Sequence, residues 1–495
     1  MEVTVSDPMA ERDFIAAAQE RVVVFDGGMG ATLEEFDLTS EDYGGLKGKC
    51  HEALVLNRPD VIEGVHDSML EAGAEVLETD TFQGSRIKLD EWGLGEHVLE
   101  INRVAAEIAR KAAGPERFVA GSIGPTGFLP ASDDPTLGDI SFGKLVETFD
   151  EQAGALLEGG ADLLIIETQQ DILETKAAIF GAREAFKRIG RSVPIQASLF
   201  ILRESGTMLL GTDVPALLTT LTALDVDVLG LNCSTGPEDM RDAIRYLGEN
   251  SPLPLHCIPN AGIPHQGPDG ETIFPAKPKP LADTLGEYVE RYGVGIVGGC
   301  CGTTPEHIRE LADRVRGLKP HDRPSQGPIQ VSSMITATPL AQEPAPTLVG
   351  ERVNSQGSRK AKELLLAEDY DGLIQVAEDQ VNGGAHVLDV CVALTERQDE
   401  DEQMSEVVER VSLTQPAPIQ IDSTEPDVIE AALEHIPGRA IVNSVNLEAG
   451  RDKLDRVAPL AKAHGACLIA LTIDEVGMAK TGDRKLEIAK RIKEL

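Results

Sequence analysis

The sequence predicts an α/β protein, a (β/α)8 barrel over most of residues 21–318 followed by a second, incomplete (β/α) barrel, and three observations predict it. From Arg21 to about Leu318, short apolar runs alternate with longer amphipathic stretches, the pattern of βα units in a parallel sheet. Eight such runs fall in about three hundred residues, which suits a closed barrel better than a doubly wound sheet. The same rhythm resumes at Leu348 for five further runs.

The eight runs are VVVFDGG from Val22, EVLETDT from Glu75, FVAGSIG from Phe118, LLIIET from Leu163, PIQASLF from Pro194, VLGLNCS from Val228, PLHCIPN from Pro254 and GIVGGCC from Gly295. Helical patterns such as RPDVIEGVHDSMLEAGA and LVETFDEQAGALLEGGA separate them, each closing on a glycine-containing stop. Polar, glycine or cysteine residues end the runs: Asp26, Thr81, Glu167, Asn232, Cys233, Asn260, Cys300 and Cys301. In a barrel those carboxyl ends converge on one face, where catalytic sites sit.

Residues 1–318 are therefore read as the first domain. The stretch 319–346, rich in proline and small polar residues and without periodicity, reads as an extended linker. From 347 to 495 the runs LVGERVN, HVLDVCV, PIQIDST, AIVNSVN and LIALTIDE alternate with helical patterns. Five strands do not close an eight-stranded barrel, so this part is either an open sheet complete in five strands or a piece of a longer chain. The ending inside the helical pattern KLEIAKRIKEL favours the piece.

Composition narrows the function. With 83 Asp+Glu against 45 Lys+Arg, the formal charge is −38, which disfavours nucleic acid as a partner and suits a solvated acidic coat. No run of eighteen uncharged apolar residues could span a membrane, and the start MEVTVSDPMAERDF carries acids where a signal peptide would be basic and then apolar. A cytoplasmic protein is expected.

Seven cysteines are too sparse for a disulfide framework, yet Cys300 and Cys301 are adjacent. Neighbouring cysteines seldom bridge each other without strain, and metal ligation is the natural alternative. Cys233 ends the sixth run and Cys300 and Cys301 the eighth, and alternate strands of a barrel direct inward residues to shared layers. Glycines at 298, 299 and 302 free the backbone for both sulfurs to reach one ion. Three thiolates with an open fourth position make a zinc site that takes a substrate thiol and keeps it nucleophilic. The alternatives are three small buried residues, or a structural site closed by His256 or Cys257. Cys50, Cys257, Cys391 and Cys467 read as buried small residues.

The motifs VFDGGMGATL, ETDTF, GSIGPTG, IIET, GLNCS and GGCCGTTPEHI, in this order, resemble the zinc-dependent homocysteine S-methyltransferase family over essentially all of Arg21 to Leu318. The resemblance implies that Cys233, Cys300 and Cys301 bind Zn2+ and that homocysteine completes the coordination. It further implies that Asp26 and Glu167 fix the substrate's amino group, with Gly27, Gly28 and the rest of the first loop and Thr81 nearby. Asp80 stands where the family more often has asparagine.

The pieces GERVNSQGS, VLDVC, IDST, VNSVN and DEVG resemble the start of the pterin-binding barrel of cobalamin-dependent methionine synthases. What this implies is 5-methyltetrahydrofolate bound by Asp389, Asp422 and Asn443, with Glu351, Asn354 and Asp474 as further contacts. Where many relatives read aspartate-valine-asparagine, this chain has Asp389, Val390 and Cys391.

Together the resemblances imply methyl transfer to homocysteine from methylcobalamin, which 5-methyltetrahydrofolate then remethylates. The cobalamin-binding signature aspartate-x-histidine-x-x-glycine is absent, so that module is expected in cis beyond this chain or in trans. A sulfonium methyl donor without cobalamin, and an inert zinc-binding fragment, are the competing readings.

Overall fold

The computed structural model describes residues 13–46, 50–267 and 272–495, so most of the acidic start read against a signal peptide lies outside the described residues. Contacts divide the chain into two units. One runs to Pro130 and includes Thr136–Leu209 and Val226–Gly327; the other comprises Ala131–Pro135, Leu210–Asp225 and Pro328–Leu495.

In the first unit, eight parallel strands take the order β1-β8-β7-β6-β5-β4-β3-β2. They are β1 (Val23–Val24), β2 (Val76–Glu78), β3 (Phe118–Ile123), β4 (Leu163–Gln169), β5 (Ile195–Leu199), β6 (Val228–Cys233), β7 (Leu255–Pro259) and β8 (Val294–Val297). A parallel bridge from Phe25 to Val76 joins the two ends of the order and brings the sheet to near closure. Each predicted run forms a strand, because both faces of such a strand are buried and a continuous apolar run suits that position.

Inside the barrel pack Val23, Val76, Phe118, Ala120, Leu163, Ile165, Val228, Ile258 and Ile296. The helix Phe14–Glu20, which the alternating pattern does not announce, closes the amino-terminal end of the barrel. Asp13 caps it, and Phe14 meets Phe118 edge-on with ring centroids 5.4 Å apart. The helices between strands stop where the glycines predict: Pro59–Ala72 starts on proline and ends at Gly73 with φ +111°.

In the second unit, β9 (Val349–Asn354), β10 (Val387–Cys391), β11 (Ile419–Asp422), β12 (Ile441–Val445) and β13 (Cys467–Ala470) are parallel and adjacent in chain order. Sequential order without a reversal point is barrel-like winding. Val353, Leu388, Val390, Ile419, Ile421 and Val442 form its core with the flanking helices. The stretch 319–346 is not a bare linker. Gln330–Ser332 pairs antiparallel with Ala337–Pro339, and the Ser333 backbone N–H donates to the Thr336 carbonyl at the turn. The last predicted strand also divides: LIALTIDE ends at Ala470, and Ile473–Asp474 instead pairs with Gly477–Met478.

A three-cysteine centre beside a carboxylate-lined cavity

Cys233, Cys300 and Cys301 come together at the carboxyl ends of β6 and β8, their sulfurs all within 4.8 Å of one another. Cys233 Sγ lies 3.9 Å from Cys301 Sγ. Tetrahedral zinc with bonds of ~2.3 Å places its sulfurs ~3.8 Å apart, so the three residues fit this ion in donor type and spacing. His256 and Cys257 do not join them. His256 is buried with Nε2 at the Ala197 carbonyl, 3.2 Å away, and the Cys257 thiol lies 3.8 Å from Met240 Sδ. A structural site closed by either residue is thereby excluded.

The backbone is shaped to deliver the sulfurs. Cys233 and Ser234 have φ of 57° and 55°, a left-handed conformation that costs a non-glycine residue about 1 kcal/mol or more and is typical of functional sites. The Cys300 N–H donates to the Pro259 carbonyl at 2.8 Å and the Cys301 N–H to Asn260 Oδ1 at 3.0 Å, so the end of β7 holds the end of β8. Gly28 is needed for close approach, since a Cβ there would lie 2.6 Å from the Cys300 carbonyl oxygen. Its N–H donates to Thr303 Oγ1 at 2.9 Å, which makes Gly28 a support of the cysteine turn rather than a free donor for substrate.

The three sulfurs act on one another: hydrogen bonds from Cys300 and Cys301 lower the Cys233 thiol from its ordinary range, and Cys233 in turn raises Cys300 and Cys301. Asn232, unassigned by sequence reasoning, braces the centre. Its Oδ1 accepts from the Thr168 N–H at 2.9 Å and from Ser198 Oγ at 2.6 Å. Its Nδ2 donates to Glu167 Oε2 at 3.0 Å and Thr168 Oγ1 at 2.8 Å, and lies 4.0 Å from Cys300 Sγ.

A cavity of about 650 Å³ opens beside the cysteines, and Asp26, Gly27, Gly28, Glu78 and Glu167 line it. Asp26 accepts from the Glu78 N–H at 3.0 Å, and Glu167 Oε1 accepts from Ser122 Oγ at 2.5 Å. Burial raises both carboxyls, Glu167 to about 7. Thr81 is displaced from its expected role: fully buried, it donates to the Ser122 carbonyl at 2.8 Å, while Thr79 and Asp80 line the cavity. Burial, reinforced by Glu52, pushes the Asp80 carboxyl well above its usual range.

In the second unit Asn354, Asp389, Asp422 and Asn443 form one ladder. Asn354 Nδ2 donates to Asp389 Oδ2 at 2.7 Å and to Asp422 Oδ2 at 2.8 Å; Asn443 Nδ2 donates to Asp422 Oδ1 at 3.2 Å. Gln420, absent from the sequence reading, completes it by donating to Asp389 Oδ1 at 2.6 Å. Burial and then Asp389 raise the Asp422 carboxyl. Glu351 is exposed on β9. Asp474 does not join the ladder: it is buried in the small hairpin against Arg484 and Arg491 of the helix Gly482–Glu494. Cys391 takes a hydrogen bond from Ser355 Oγ at 3.7 Å.

Fold and site define a (β/α)8 barrel with three convergent cysteines at its carboxyl face. The family model for homocysteine S-methyltransferase matches residues 23–315, and that for pterin binding enzymes matches residues 350–494. The chain belongs to the homocysteine S-methyltransferase family. It is 40% identical over 491 residues to a methionine synthase of Mycobacterium tuberculosis and 39% identical over 496 residues to that of Mycobacterium leprae. Each match covers 97% of this chain and 40% of the relative, so the chain spans two fifths of the length of these relatives. Among solved structures, the metallated homocysteine methyltransferase MmuM of Escherichia coli is 28% identical, with a TM-score of 0.49, over 62% of this chain and 100% of that one. Among the described residues no helix is long and apolar enough to cross a membrane.

Proposed function

We propose that this chain carries the homocysteine and methylfolate modules of a cytoplasmic methionine synthase and transfers a methyl group to the homocysteine thiol. The observation that carries the reading is the convergence of three cysteine sulfurs within 4.8 Å beside a carboxylate-lined cavity. Zn2+ held by Cys233, Cys300 and Cys301 would supply an open position and the positive charge that lowers the pKa of an incoming thiol.

The chain's own residues bind and orient. Asp26 and Glu167 attract the substrate's ammonium group, Gly27 borders its path, and Asn232 holds Glu167 and the cysteine turn in register. In the second unit, Asp389 and Asp422, fixed by Asn354, Gln420 and Asn443, offer acceptors to the donor edge of the pterin of 5-methyltetrahydrofolate. The raised Asp422 carboxyl is suited to holding a proton near the folate amine, which leaves more readily when protonated. Methylcobalamin, carried by a module outside this sequence, would connect the two sites. The pterin-binding match favours this route over a sulfonium donor, which would leave the second unit without a task.

Zinc-edge X-ray absorption of the zinc-loaded protein tests the reading. Three sulfurs and one lighter ligand should become four sulfurs on adding L-homocysteine. Four sulfurs or a fixed nitrogen before substrate, unchanged afterwards, would make the centre structural.

A further inference from the structure

Six acidic residues line the cavity, Asp26, Glu34, Glu52, Glu78, Asp80 and Glu167, and Glu78 belongs with the two assigned above, because Asp26 and Glu167 are the charges that act on it. Those two are anchored by neutral donors. The Glu78 backbone N–H holds Asp26, and Ser122 and Asn232 hold the two oxygens of Glu167. The Glu78 side chain takes no hydrogen bond from any described residue. No lysine or arginine is among the described residues that line the cavity. The closeness of Asp26, Glu78 and Glu167 shows in their mutual effect, since both Glu167 and Asp26 raise the half-buried Glu78 carboxyl after desolvation itself.

A cavity wall with several acidic groups and no lysine or arginine among its described residues is costly unless a cation arrives with the ligand. An alkylammonium group brings one positive charge and three N–H donors. Asp26 and Glu167 spend acceptor capacity on the protein, whereas both Glu78 oxygens remain for a ligand. We propose that Glu78 is a specificity-determining residue whose carboxylate takes the third N–H of the substrate's α-ammonium group, completing a three-acceptor clamp with Asp26 and Glu167. The inference rests on the reading of this cavity as a homocysteine site. It would make the enzyme select thiols that bear an amino group over equally long thiols that lack one.

The test compares L-homocysteine with 4-sulfanylbutanoate, the same chain without the amino group, by titration calorimetry on the zinc-loaded protein and its Glu78→Gln variant. Zinc content and melting temperature are measured alongside. The variant keeps the side chain's size and removes a charge from a wall already crowded with acids, so the fold should hold; Glu78→Asp, which keeps the charge but shortens its reach, serves as the second variant. Loss of a charge-assisted hydrogen bond should weaken homocysteine binding by at least about tenfold. Binding of 4-sulfanylbutanoate should be unchanged or stronger in Glu78→Gln, and Glu78→Asp should fall between wild type and Glu78→Gln. Equal loss for both thiols, or no loss for either, would overturn the clamp. Failure of the wild-type protein to bind either thiol would instead overturn the homocysteine reading itself.

Discussion

Asn232 makes four short hydrogen bonds while nearly fully buried, to Thr168 twice, Ser198 and Glu167, and is the residue before Cys233. An amide that saturates its capacity in the core fixes its neighbours, and here those neighbours are a proposed metal ligand, Cys233, and a proposed substrate-binding carboxylate, Glu167. Asn232→Ala should therefore weaken zinc binding by about 10- to 100-fold, the range usual for groups that orient metal ligands. Chelator competition would read this, and unchanged affinity would reduce Asn232 to core packing. The convergence of Cys233, Cys300 and Cys301 was legible in the sequence because all three stand at the ends of alternate strands of the barrel, whose carboxyl ends meet on one face. Asn232 was visible only as a polar strand end without a role, and Glu78 stands within its strand motif without drawing notice, since a lone polar residue at a strand end has many bland uses. Alternation held the missing signal for Glu78: Val76 lies in the barrel core, and two residues on the same face is reached again. Thr81 and Asp474 misled for the opposite reason. Their place near strand ends was right, but hydrogen bonds to Ser122 and to Arg491 consume them, and partners from distant segments do not show in a local motif.

Elements are joined at this face by side chains acting on a neighbouring loop. Glu174, in the first turn of the helix Ile172–Ile189, accepts from the Thr126 N–H at 2.7 Å and from Thr126 Oγ1 at 2.5 Å in the loop after β3. Its second oxygen is buried and has no hydrogen-bond partner among the described residues. Burial pushes its carboxyl to about 8. An acid whose folded pKa is raised binds its proton longer in the native state than in the unfolded one. Stability therefore falls as pH rises from the unfolded value of ~4.3 to about 8, at on the order of 1 kcal/mol per pH unit, and is level above that. Glu174→Gln keeps an acceptor for Thr126 and cannot ionise. Its melting temperature should gain on wild type between pH 5 and 8 and hold that gain at pH 9; a gap independent of pH would show that Glu174 is already ionised in the fold. The helices and strands themselves were legible, because apolar period and glycine stops act locally. The hairpin of Gln330–Ser332 and Ala337–Pro339 was not, since strands of three residues are too short for alternation to register amid proline and serine. The same brevity hid the helix Phe14–Glu20, which is held by contacts to Phe25 and Phe118 rather than by its own propensity.

Over the whole molecule, charge dominates what local structure cannot decide. Of 83 acidic residues, 45 at most can be matched one to one by lysine or arginine, which leaves 38 in excess. Many of the pairs that form are exposed, such as Arg103 with Glu107 at 2.5 Å and Lys187 with Glu184 at 2.6 Å, and pairs of this kind contribute little each. Salt screens both the pairs and the excess, but it acts on them in opposite directions. Weakening an exposed pair removes at most a few tenths of a kcal/mol, while screening a like-charged surface lowers a repulsion summed over many residues. The second effect should win. The melting temperature is expected to rise by several degrees between ~0.05 M and ~1 M sodium chloride, as the screening length shrinks from over 10 Å to about 3 Å. Differential scanning calorimetry at fixed pH would measure it, with potassium chloride as the check that the effect is screening rather than binding of one ion. A fall in melting temperature would mean that attraction within ion-pair networks outweighs the acidic excess, and the acidic coat would then be arranged for pairing.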